Sequence, residues 1–98
     1  MIAVDCDGPA CVVGEPGKAL SDSRDMVFAR EQATREADAA ARALFDNGAE
    51  KVVVWDNHGV GSNLVFDRLD PRCEIILGAG FDRRFPLLDE SYAGVLMI

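Results

Sequence analysis

The chain has 98 residues with 17 acidic and 10 basic side chains, and its formal net charge of −7 excludes the basic face that phosphate-backbone binding requires. With 49% apolar and 28% charged residues, it reads as one small globular domain over residues 1–98, not a disordered segment. No stretch approaches the ~20 apolar residues that span a bilayer, no signal peptide precedes Asp5, and three cysteines without C-x-x-C spacing predict a cytoplasmic protein with neither a disulfide framework nor a cysteine zinc site.

Residues 2 to 5 form a short, partly β-branched apolar run ending in an acid, which predicts a buried strand. Gly8 to Ser23 follows as a long loop rich in Gly, Pro, Ser and Asp; loops of this length usually cover a site or move. From Arg24 to Asp46 the composition turns to helix formers. Met26, Ala29, Ala33, Ala37, Ala40, Ala41 and Leu44 recur at three- and four-residue steps, so this helix has one apolar face. Ser23 or Asp22 can cap its start, and Asn47-Gly48 supplies a left-handed stop. The alanines predict close packing on a sheet.

Lys51 to Trp55 is the second strand, uninterrupted in its apolar middle and so buried on both faces. A loop over Gly59 to Asn63 leads to a short helix around Leu64 to Leu69, then to strands over Cys73 to Leu77 and Gly94 to Ile98. The last run stops without a turn signal, which predicts a chain cut at a strand end. Strand, helix, strand, short helix, strand, strand is the order of an α/β domain with a mostly parallel sheet and a right-handed βαβ crossover.

In a parallel βαβ unit both strands end at one edge, where ligands bind in open α/β sheets. The first strand ends Asp5-Cys6-Asp7 and the second Asp56-Asn57-His58. In extended geometry, side chains two apart share a face, so Asp5 pairs with Asp7 and Asp56 with His58. Three clustered carboxylates repel one another unless a divalent cation neutralises them. Carboxylates with one neutral imidazole suit zinc, and also manganese or magnesium. The plainer alternatives are that aspartates at strand ends cap turns, as Asp56 before Gly59 can, and that His58 is a solvated loop residue. Gly80 to Pro86 likewise holds Arg83 and Arg84 either against an anionic group or simply beside a turn.

The stretch Val4-Asp5-Cys6-Asp7-Gly8 resembles the first-strand signature of the dipeptide-operon D-aminopeptidases, a family of zinc peptidases. There the motif reads V-D-x-E-G, and both acids bind metal. Val54 to Leu64 is similar to the family's D-x-H segment with its downstream N-L. Ala33-Thr34-Arg35-Glu36-Ala37 and Phe45-Asp46-Asn47-Gly48-Ala49 follow the family's order between them, so the resemblance covers nearly the whole chain. It implies that Asp5 bridges the metals of a two-zinc site and that Asp7 and His58 are further ligands. Asp7 stands where the family usually has a glutamate, one methylene longer. Asp56 is placed to orient the histidine, as carboxylates commonly hold metal-bound imidazoles.

The resemblance implies removal of N-terminal D-residues from short peptides by a ring-forming homo-oligomer. It also implies that the catalytic histidine and remaining ligands lie beyond Ile98, so none of the catalytic residues is expected within these 98 and the chain would carry only part of the site. Two other readings compete. Ile2 to Gly8 also fits the D-x-D-G motif of haloacid-dehalogenase-type phosphohydrolases, with Asp5 as nucleophile and magnesium as cofactor. Pro9, and Trp55-Asp56 in place of a phosphate-binding Ser or Thr, depart from that pattern. The third reading is a non-catalytic α/β module.

Overall fold

The apolar opening forms β1 (Ile2–Val4), with all three residues buried. In the computed structural model, which describes residues 1–98 apart from the side chain of Ser21, it stands inside a four-stranded sheet. The other strands are β2 (Val53–Asp56), β3 (Glu74–Ile76) and β4 (Leu96–Met97), in the order β3-β2-β1-β4. Every pairing is parallel, so the expected mostly parallel sheet is entirely so. β1 pairs with β2 through Ile2↔Val54, Ala3↔Trp55 and Val4↔Asp56.

Between them runs α1 (Met26–Asp46). It starts two residues later than Arg24, because Asp25 takes the N-cap position and Ser23 Oγ accepts the Asp25 amide at 3.2 Å instead of capping the first turn. Its end is as expected. Asn47 Nδ2 donates to the Ala43 carbonyl at 2.8 Å, and Gly48 has φ +91, a conformation that favours glycine. The short helix expected over Leu64 to Leu69 is only a 3₁₀ turn at Phe66–Arg68, and a second such turn, Leu20–Asp22, interrupts the long loop. Three residues are too few for the cooperative helix that pattern alone suggests.

The two faces of the sheet are covered differently. Ile2, Val4, Val52 and Val54 pack against Ala29, Ala33, Ala37 and Ala41 of α1, where methyl side chains allow the helix to lie close. Ala3, Val53, Trp55 and Ile76 face the other way and are covered by Phe85, Leu88 and Tyr92 from the segment between β3 and β4. Leu44, expected on the inner face, is 39% exposed. The reason is length: 21 helical residues run about 31 Å, well past strands of a few residues at ~3.3 Å each. Among the described residues no helix is long and apolar enough to cross a membrane.

Candidate metal centre

The parallel ladder continues one step past the strands and sets the site's frame. The Asn57 amide donates to the Val4 carbonyl at 2.8 Å, and the Asp5 amide to the Ile98 carbonyl at 2.8 Å. Asp5 is thereby held between β2 and β4 at the C-terminal ends of all three strands. Beyond this point both chains bend, and the bends assemble the cluster. His58 Nδ1 lies 2.7 Å from Asp5 Oδ1 and 3.1 Å from Asp7 Oδ2. One ligand atom from each of Asp5, Asp7 and His58 falls within 4.8 Å of the others.

Asp56 stands outside this group. Alternation would carry Asp56 and His58 to the same side of an unbroken strand, but β2 ends at Asp56 and the chain turns through Gly59 at φ +54. Asp56, fully buried, continues the inward row of Val52 and Val54. Its Oδ2 accepts the Leu64 amide at 2.9 Å and also the Asn63 amide, while Oδ1 accepts Asn63 Nδ2 at 2.9 Å. Asn63 Nδ2 also donates to the His58 carbonyl. The buried carboxylate therefore shapes the 57–64 loop, and its hold on His58 runs through Asn63 and the backbone. Sequence reasoning left Asn63 without a role; its one signal was the N-L pair downstream of D-x-H.

The loop is also seated from outside. The Gly78 amide donates to the Gly61 carbonyl at 2.8 Å. A Cβ on Gly61 would lie 2.3 Å from the Gly78 carbonyl oxygen, so the His58 loop and the chain leaving β3 touch backbone to backbone. On the other side, the Val65 amide donates to Thr34 Oγ1 at 2.9 Å, which ties the loop's exit to α1. The long loop after Asp7 is pinned by the Ala10 amide donating to Glu36 Oε1 at 2.7 Å.

The donor set suits a borderline-soft divalent ion. Donors around tetrahedral zinc at about 2.0–2.1 Å lie about 3.4 Å from one another, so small side-chain rotations bring the three atoms to that spacing. His58 is mostly enclosed, its side chain 12% exposed, while Asp5 and Asp7 are 45% and 58% exposed, so the cluster is open to solvent on its carboxylate side. Cys6, between the two acids, is not a fourth donor. It is buried in the helix-side core, and burial, reinforced by the charges of Asp56 and Asp5, pushes its thiol up to about 12.

An open parallel α/β sheet with an oxygen–nitrogen donor cluster at its carboxyl edge belongs to the class of α/β domains whose ligands bind at the strand ends. The sequence model of the D-aminopeptidase family matches residues 1–98, and the chain belongs to that family. Among solved structures it is similar to the Zn-dependent D-aminopeptidase DppA from Bacillus subtilis, a self-compartmentalizing protease, with a TM-score of 0.72 and 25% sequence identity. That match covers 100% of this chain and 37% of DppA, so the chain spans little more than a third of the neighbour's length. No curated protein matches it. Because D-x-D-G ends a strand in both families, the family match, rather than the geometry of Asp5 and Asp7, separates the chain from the haloacid-dehalogenase-type alternative.

Proposed function

We propose that this chain carries metal-binding residues of a zinc-dependent aminopeptidase that removes N-terminal residues from short peptides, with Asp5, Asp7 and His58 as ligands. The observation that carries this reading is the meeting of Asp5 Oδ1, Asp7 Oδ2 and His58 Nδ1 at one strand edge in a chain of the D-aminopeptidase family. Zinc bound there would polarise a peptide carbonyl and lower the pKa of its water. The chain's own contribution is to hold two carboxylates and an imidazole in register, with Asp56 and Asn63 fixing the loop beneath His58. Three side chains suffice for one ion, and a two-zinc site with Asp5 as the bridge needs further ligands. DppA is described as self-compartmentalizing, which supports a homo-oligomer for this chain as well. Its free cysteines suit a cytoplasmic setting.

Zinc titration by calorimetry tests the assignment. Losing a group that merely orients a ligand costs about 10–100-fold in metal affinity, so His58→Ala, which removes a ligand, should cost more than that. Unchanged zinc affinity in His58→Ala, or magnesium binding in preference to zinc, would sink the reading.

A further inference from the structure

We propose that a cavity of about 250 Å³ walled by Trp55, Phe81, Arg83 and Arg84 receives the C-terminal carboxylate of a short peptide whose amino end lies at the Asp5–Asp7–His58 cluster. This deepens the peptidase reading above and rests on it. Position is the first argument. Asp56, Asn57 and Gly59 also border the cavity and flank His58 in the chain, so the cavity lies at the C-terminal end of β2, the strand end that His58 follows.

Charge is the second. The chain has a formal net charge of −7, yet among the described residues neither Arg83 nor Arg84 takes part in an ion pair. The one carboxylate in the wall, Asp56, is already engaged by Asn63 and Leu64. Both arginines are exposed and line the cavity, and their planar donor forks match a carboxylate. Trp55, in the same wall, has a buried indole N–H without an acceptor among the described residues.

The loop that carries the arginines is also anchored. Phe85 packs edge-on against Trp55, with ring centroids 5.6 Å apart and planes at 69°, which ties their loop to β2. Volume sets the size of the occupant. The cavity is smaller than the ~300–1,000 Å³ of drug-sized ligand sites, so it takes the end of a small ligand.

Trp55 is the chain's single tryptophan and reports occupancy by its fluorescence. The chain is titrated with a dipeptide of D-alanine, with the same dipeptide as its C-terminal amide, and with inorganic phosphate, each with and without zinc. The free acid should bind about tenfold or more tightly than the amide, as expected for charge-assisted hydrogen bonds, and more tightly than phosphate. The double variant Arg83→Gln/Arg84→Gln should lose that preference while keeping wild-type thermal unfolding and zinc affinity. Arg83→Lys/Arg84→Lys should recover part of it. Equal binding of acid and amide, no binding of the acid, phosphate binding as tightly as the acid, or a preference that survives the glutamine variant overturns the proposal. If zinc fails to bind while the arginine-dependent preference persists, the metal assignment falls and the carboxylate site stands.

Discussion

Asp56 carries more structure than any other single side chain at the site's edge. It is fully buried, and its two oxygens accept from two backbone amides and one side-chain amide of the 63–64 segment. Truncation would leave those donors buried without partners, at about 1–3 kcal/mol for each unsatisfied group. Asp56→Ala should therefore lose roughly 3 kcal/mol or more of stability, a fall in Tm above about 10 °C for a domain of this size. Differential scanning calorimetry reads this directly, and a shift of only a degree or two would show that the loop finds other acceptors. D-x-H was visible in the sequence, but the separate tasks of its two members were not. An aspartate looks the same whether it binds metal, caps a turn or braces a loop, and only the Asn63 contacts distinguish these.

At the scale of elements, the meeting of the His58 loop with the exit from β3 is the tightest in the structure's glycine set. Gly61 combines φ +67 with a Cβ position 2.7 Å from the Gly78 carbonyl carbon, so any side chain forces backbone to move. Gly17 is a natural control, with φ +76 and nothing within 4 Å. Gly17→Ala should cost about 1 kcal/mol, the backbone penalty alone. Gly61→Ala adds a clash with main chain and should cost about 3 kcal/mol or more. Comparing urea midpoints of the two variants checks the difference, and equal shifts would mean that the loop moves away freely. The helix teaches a related lesson. Its alanine stripe was readable from spacing, and Ala29, Ala33, Ala37 and Ala41 are indeed fully buried. Leu44 fits the same period but is 39% exposed, because period describes a face and says nothing of where the sheet beneath it ends.

For the whole molecule, one charged contact joins the end of α1 to the start of β3. Arg72 holds Asp70 through Nη2 at 2.7 Å and Nε at 2.8 Å, and its guanidinium carbon lies 4.1 Å from the centre of the Phe45 ring. Hydrogen bonds from the Arg72 side chain and backbone hold the Asp70 carboxyl well below the usual carboxylate range. A carboxyl depressed in the folded state adds stability that is present above its unfolded value of about 3.9 and is lost as pH falls through the folded value. Arg72→Gln should thus be less stable than wild type at neutral pH, and the gap should narrow as pH falls below about 3.9. Thermal unfolding from pH 7 to pH 2 follows that gap; a constant difference would assign the effect of Arg72 to its packing on Phe45 instead.

The sequence by itself determined the class of fold, the alanine-faced helix between the first two strands, and the acids and histidine that follow them. These are properties of composition and period within a few residues of chain. Tertiary structure alone decided how they meet. His58 and Asp5 are 53 positions apart in sequence and touch because β1 and β2 pair in the register Val4↔Asp56 and both chains bend just beyond it. Asp56, which strand alternation would place with His58, is left outside the Asp5–Asp7–His58 group. The same topology brings Arg83 and Arg84 beside Trp55, where two loop arginines become the wall of a cavity. The D-x-D and D-x-H motifs could be read without a structure because they are local, whereas the site they form depends on pairing between distant segments.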